Sequence, residues 1–185
     1  MTQNGCKFVI GIDVSKAKLD IANGSKANPE TIANDRNAIK NMIANRITAP
    51  NQTLVVVEAT GGYERLLVES LQATSIAVAV VNPRRVRDFA KGIGFDAKTD
   101  SIDARLIARY GEVVQPKAAQ PKTKSEKELA ALVTRRRQLL KMINMENNRL
   151  GQSLPAVAKF IRGSLRALKK QVKTLDQRIA NVVQS

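Results

Sequence analysis

The run Phe8-Val9-Ile10-Gly11-Ile12-Asp13 decides how the chain is read. Five consecutive apolar or glycine residues, three of them β-branched, match a strand buried on both faces, and an acid closes it. The same form recurs at Leu54-Val55-Val56-Val57-Glu58, again ending on an acid. Residues 76–81 (IAVAVV) form a third buried run without one. Between these lie weaker signals. KLDIAN at 18–23 alternates, ETIA at 30–33 is a short strand candidate, and Asn23-Gly24 suits the turn between them.

Helix signals fill the gaps. Asp35 is placed to cap an amphipathic helix running to about Arg46. Gly61-Gly62 opens another, with Leu66, Leu67, Ser70 and Leu71 on one side. Residues 84–91 and 101–110 are further candidates, the first strongly basic. Buried strands separated by helices predict an α/β domain over residues 1–114, its partly parallel sheet covered on both faces. Residues 115–124 contain Pro116 and Pro121 and no apolar periodicity, which suits a linker. Residues 125–185 read as an α-helical arm. One helix spans about 126–150 and ends at Gly151, and Ser153 with Pro155 suits a new start. Ile161, Leu165, Leu168, Val172, Leu175, Ile179 and Val182 then follow at alternating spacings of four and three. This is a heptad seam, so the arm is expected to be a coiled-coil hairpin that could also join copies of the chain into a homodimer or higher oligomer.

Composition narrows the function. The 185 residues carry 31 Lys and Arg against 16 Asp and Glu, a net charge of +15. Residues 1–114 hold 15 basic and 12 acidic side chains. Residues 115–185 hold 16 and 4, a net of +12. Such an excess favours phosphate-rich partners, because each neutralised phosphate releases counterions. No apolar run approaches the roughly 20 residues of a spanning helix, and no signal-peptide stretch opens the sequence. No membrane partner is expected, and a cytoplasmic location is the default. Histidine is absent and Cys6 is the single cysteine. That excludes Cys/His zinc sites, Ser–His–Asp triads and an intrachain disulfide. Any metal must be held by oxygen, which suits magnesium or manganese.

Asp13 and Glu58 therefore matter. Each follows the last apolar residue of a buried strand, and ligands of open α/β sheets sit beyond the carboxyl ends of their strands. Asp100 and Asp103, three apart at a helix start, could share a face with them. Four converging carboxylates would repel unless divalent cations neutralised them. Blander roles exist for each: a turn acid for Asp13, an arginine salt bridge for Glu58, helix-start acids for Asp100 and Asp103. Asp96 is a spare acid nearby.

The segments GIDVSKAKLDIA, VVVEATGGYERLL, VVNPRRVRDFAKGIGFDAKTD and DSIDARLIARY resemble, in the same order, the motifs of the DEDD insertion-sequence transposases, the family that includes the Piv DNA invertase. The resemblance covers residues 7–111 by motif and 125–185 in character. It implies a RuvC-like, RNase H-like catalytic domain in which Asp13, Glu58, Asp100 and Asp103 form the catalytic and metal-binding tetrad, with Mg2+ or Mn2+. It implies phosphodiester cleavage and strand transfer on DNA, guided by a structured RNA. Arg84, Arg85, Arg87, Lys98, Arg135, Arg136, Arg137, Lys169 and Lys170 are the expected nucleic-acid contacts. Solvated helix faces are the alternative for the arm's cations. The family's further domain, with its nucleophilic serine, has no counterpart motif around Ser153, Ser164 or Ser185. Three other readings compete: a stand-alone junction resolvase, a non-catalytic nucleic-acid-binding or oligomerisation fragment, and a sugar-kinase or actin-like ATPase half.

Overall fold

A computed structural model describes residues 6–94 and 103–184, which fall into two compact units, Met1–Pro121 and Lys122–Ser185. In the first unit, β1 (Phe8–Val14), β2 (Lys18–Asn23), β3 (Glu30–Ala33), β4 (Thr53–Glu58) and β5 (Ala77–Val81) form one mixed sheet in the order β3-β2-β1-β4-β5. β1 runs antiparallel to β2 and parallel to β4, and β4 runs parallel to β5. Parallel neighbours need crossovers, and these are α1 (Arg36–Arg46) between β3 and β4, and α2 (Arg65–Ala73) between β4 and β5. Asp35 caps α1 as expected, its Oδ1 accepting from Ala38 N at 2.9 Å.

The period-two pleat sorts side chains onto two layers. Ile10, Ile12, Val14, Val55 and Val57 pack with Ile39, Met42, Leu67 and Leu71 of α1 and α2. On the other face, Leu54, Val56, Ala79 and Val81 pack with α3 (Pro83–Gly92) and α4 (Ala104–Val114) through Val86, Ala90, Leu106, Ile107 and Tyr110. Each fully buried aliphatic contributes about 1.5–3 kcal/mol. The Phe89 and Tyr110 rings meet edge to face at 5.4 Å, joining α3 to α4. Beyond α4, Ala119 N donates to Val78 O at 2.7 Å and Ala119 O accepts from Gln72, so part of the stretch read as a linker lies along β5.

Two glycines set the closest approach in this unit. A Cβ on Gly11 of β1 would lie 2.2 Å from Ala104 O and 2.3 Å from Ala108 N; one on Gly111 would lie 2.6 Å from Val9 and 2.7 Å from Val56. The helix α4 thus rests its backbone on β1. Its first turn lies by Gly11 and its last by Val9, so it runs antiparallel to the strand. That direction carries the start of α4 to the carboxyl end of β1.

The second unit is a helical hairpin of α5 (Lys124–Gly151) and α6 (Pro155–Gln184). A capping box, Thr123 with Glu126, opens α5. Arg178 pairs with Glu128 and Arg136 with Asp176, cross-links that an antiparallel pair requires. Leu139, Ile161 and Leu165 are buried, while Leu168, Val172, Leu175, Ile179 and Val182 are half-buried. Among the described residues no helix is long and apolar enough to cross a membrane.

Gly11→Ala is expected to lower the unfolding free energy by about 3 kcal/mol or more, the upper end of overpacking effects, because backbone atoms cannot give way. Gly163→Ala in α6, where nothing lies within 4 Å of the added methyl, is expected to raise stability by up to about 1 kcal/mol. Urea unfolding of both variants checks the contrast.

Candidate functional site

Asp13 and Glu58 come together. The β1–β4 ladder is in register through Ile12↔Val57, so the two acids are the next residues on neighbouring parallel strands. Both lie on the α3/α4 side of the sheet, because Gly11 and Val56 two residues earlier contact or flank α4. Both are half-buried.

Their electrostatics are unfavourable as they stand. Burial pushes the Asp13 carboxyl above its ordinary range, and the charges of Asp20 and Asp103 push it further. The Val14 amide and Lys18 oppose this without reversing it. Burial likewise raises Glu58, Asp13 adds to the effect, and Arg87 partly offsets it. Glu58 Oε2 is buried with no hydrogen-bond partner among the described residues. A buried unpaired carboxylate oxygen is destabilising, and this one faces a second acid.

Asp103 sits at the N-cap of α4. Its Oδ1 accepts from Leu106 N at 3.0 Å, and its Oδ2 accepts from Arg105 Nε and Nη2 at 2.9 and 2.8 Å. The helix-start role considered for this acid therefore describes its present contacts, although its charge also reaches Asp13. Asp100, Asp96 and Lys98 lie outside the described residues. Among the described residues, no three acids stand close enough to hold a metal ion.

Sequence reasoning passed over Asp20. It pairs directly with Asp13 across the antiparallel β1–β2 ladder and so shares its face. Thr31 Oγ1 donates to Asp20, Lys18 Nζ lies 3.1 Å from it, and these bonds hold its carboxyl below the usual range despite some burial. In KLDIAN alone Asp20 takes the polar place between Leu19 and Ile21, and only the register with β1 sets it opposite Asp13.

Of the expected phosphate contacts, Arg84, Arg85 and Arg87 are exposed on α3, whose other side buries Val86 and Ala90. Arg84 lies 3.9 Å from Asp88. Asn82 caps this helix from the end of β5, the same sheet rim that carries Asp13 and Glu58. In the hairpin, Arg135, Arg137, Lys169 and Lys170 are exposed, whereas Arg136 is engaged by Asp176.

A half-buried acid pair thus lies at the carboxyl rim of a mixed five-stranded sheet, beside a helix that exposes three arginines. The family model for DEDD transposases of the IS110 type matches residues 10–159. The chain belongs to this transposase family. It is 28% identical over 182 residues to the pilin gene-inverting proteins of Moraxella lacunata and Moraxella bovis. The alignments cover 96% of this chain and 56% of each relative, so the chain spans little more than half their length.

The raised acids give a signed expectation. Below their unfolded-state range both states are protonated and no penalty exists. As pH rises past it, the unfolded carboxyls ionise while the folded ones stay protonated, and stability falls until pH exceeds their raised folded values. Glu58→Gln should therefore raise the melting temperature of the metal-free protein at pH 7 and leave it unchanged near pH 3. Thermal unfolding at the two pH values checks this; a lower melting temperature for the variant at pH 7 would contradict it.

Proposed function

We propose that residues 1–114 form the RNase H-like catalytic domain of a DNA transposase or site-specific recombinase, working by divalent-metal-dependent phosphodiester cleavage and strand transfer. The strand order β3-β2-β1-β4-β5, antiparallel at β1–β2–β3 and parallel at β1–β4–β5, supports that fold. The single observation that carries the function is the Asp13–Glu58 pair on adjacent parallel strands with Glu58 Oε2 unsatisfied. Burial raises both acids, the charges of Asp20 and Asp103 adding to it at Asp13 and that of Asp13 adding to it at Glu58, and an oxygen-only, negatively charged donor set fits a hard divalent cation.

In this reading Asp13 and Glu58 hold Mg2+ or Mn2+ together with Asp100 and Asp103. Asp103 would exchange its Arg105 contact for this role while its other oxygen keeps α4 capped. Bound there, two such ions supply activation of a water or hydroxyl and neutralise charge at phosphorus. The chain's own part is positional. The β1–β4 ladder keeps the two strands in register up to the residue before each acid, and the Gly11 contact carries the start of α4, with Asp103 at its N-cap, to the same rim. Arg87, already close enough to influence Glu58, would bind a phosphate of the DNA, with Arg84 and Arg85 along the same helix and Lys98 beside Asp100.

The hairpin, 125–185, is proposed as a nucleic-acid-binding and oligomerising arm joined through 115–124. Its +12 excess together with the preceding segment supports DNA and a structured guide RNA as partners. Half-buried heptad residues and exposed Leu154 (74%) and Phe160 (75%) support a second copy of the arm as the apolar partner. The inverting activity in the relatives' names supports recombination over simple nicking.

In the intact protein, Asp13→Asn, Glu58→Gln or Asp100→Asn should each reduce metal-dependent DNA cleavage by about a thousandfold or more. Losing several kcal/mol of charge stabilisation implies this, at tenfold per roughly 1.4 kcal/mol. Unimpaired cleavage by the first two variants would overturn the assignment. A separate check addresses the arm. Lys169→Ala with Lys170→Ala should lower the slope of log binding constant against log salt by up to about two for duplex DNA; an unchanged slope would make these lysines a solvated face.

A further inference from the structure

The backbone ladder that aligns β1 with β4 ends at Ile12↔Val57, one residue short of both acids. Asp13 is still held by β2, through Asp13↔Asp20, and Glu58 by β5, through Glu58↔Val81, so what further fixes the rim between β1 and β4 is a tie between the two following loops. Asn34, immediately after β3, makes that tie. Its Nδ2 donates to Ser15 O at 2.9 Å and to Tyr63 O at 3.2 Å, and its backbone N donates to Ala17 O at 3.0 Å. Ser15 and Ala17 belong to the turn that follows Asp13. Tyr63 belongs to the loop that follows Glu58.

Each loop is stiff by itself. In the first, Ser15 N and Oγ both donate to Lys18 O, and Lys18 N donates back to Ser15 Oγ. In the second, the Glu64 carboxylate accepts from Thr60 N, Thr60 Oγ1 and Gly62 N, closing a turn whose Gly61 and Gly62 have φ of 78° and 126°. On the outer side, Ala59 N donates to Val81 O. Two closed loops are thus joined by one side chain.

The chemistry of the tie selects asparagine. Two carbonyl oxygens must receive two hydrogens from one short group, and the Asn amide nitrogen has two. Aspartate has none when ionised, serine has one, and glutamine is a methylene longer. Asn34 Oδ1 is buried without a partner among the described residues. A side chain chosen for packing alone would not bring that unsatisfied acceptor.

We propose that Asn34 is a positioning residue of the metal site, setting the separation of Asp13 and Glu58 by bridging their loops. It touches neither metal nor substrate. The proposal rests on the metal-site reading above, and its test keeps the two apart. Manganese alone is titrated into the intact chain, with a DNA duplex present, and free Mn2+ is followed by electron paramagnetic resonance. Four proteins are compared: wild type, Asn34→Ala, Asn34→Asp and Asp13→Asn. Asn34→Asp keeps the volume and shape of the side chain, which guards against loss of folding in the alanine variant.

Both Asn34 variants are expected to weaken Mn2+ binding by about tenfold, the size of effect known for outer-lying partners of metal ligands, while Asp13→Asn abolishes it. Raising the Mn2+ concentration should then restore occupancy in the Asn34 variants. If they bind Mn2+ as wild type does and only the melting temperature falls, Asn34 is a structural residue and the proposal is overturned, with the metal site intact. If Asp13→Asn binds Mn2+ like wild type, the site reading itself falls and Asn34 with it.

Discussion

Everything at the candidate site depends on how closely α4 can approach β1. With hydrogen at the position of a side chain, Gly11 lets the helix backbone rest on the strand, and Gly111 repeats the contact a strand-length away against Val9 and Val56. Any larger residue would lift the helix and withdraw its first turn from the sheet rim. Because α4 runs antiparallel to β1, the same contact delivers Asp103 to the end where Asp13 emerges. Fold and site are thus joined by a steric allowance rather than by a polar bond.

A second constraint is electrostatic. Asp13, Glu58 and Asp20 are collected on one side of one sheet edge, with burial raising the first two and Thr31 and Lys18 compensating the third. A site of this kind is stable only because the surrounding core is strong. The fully buried Val55, Val56 and Val57 of β4 anchor the strand that carries Glu58, and they do so on both faces. Stability is given up at the rim and recovered in the layers beneath it, as expected where function requires a charge arrangement that folding alone would avoid.

Much of this was legible in the residues. Strands buried on both sides announce themselves as unbroken, largely β-branched runs, so β5, and β1 and β4 with their acids, could be read directly. The Asp35 cap and the break at Gly151 followed from local chemistry. Other features depend on tertiary context. Gly11 reads as one more strand residue until a helix is seen lying on it. Asp20 reads as the polar place in an alternating strand, because only the β1–β2 register sets it opposite Asp13. Asn34 reads as a residue before a cap, since its two acceptors are 19 and 29 positions away. Arg136 and Asp176, forty apart, pair only once the hairpin closes. Asp103 illustrates a further ambiguity: capping a helix and ligating a cation need the same carboxylate at the same helix start.

The central claim is that the acids at this rim share divalent cations. Crystals of the intact protein with DNA, soaked in manganese and measured at a wavelength where manganese scatters anomalously, address it most directly. The account predicts anomalous peaks within coordination distance of both Asp13 and Glu58. Well-occupied manganese bound elsewhere, with Asp13 and Glu58 paired instead to arginine or lysine side chains, would contradict it.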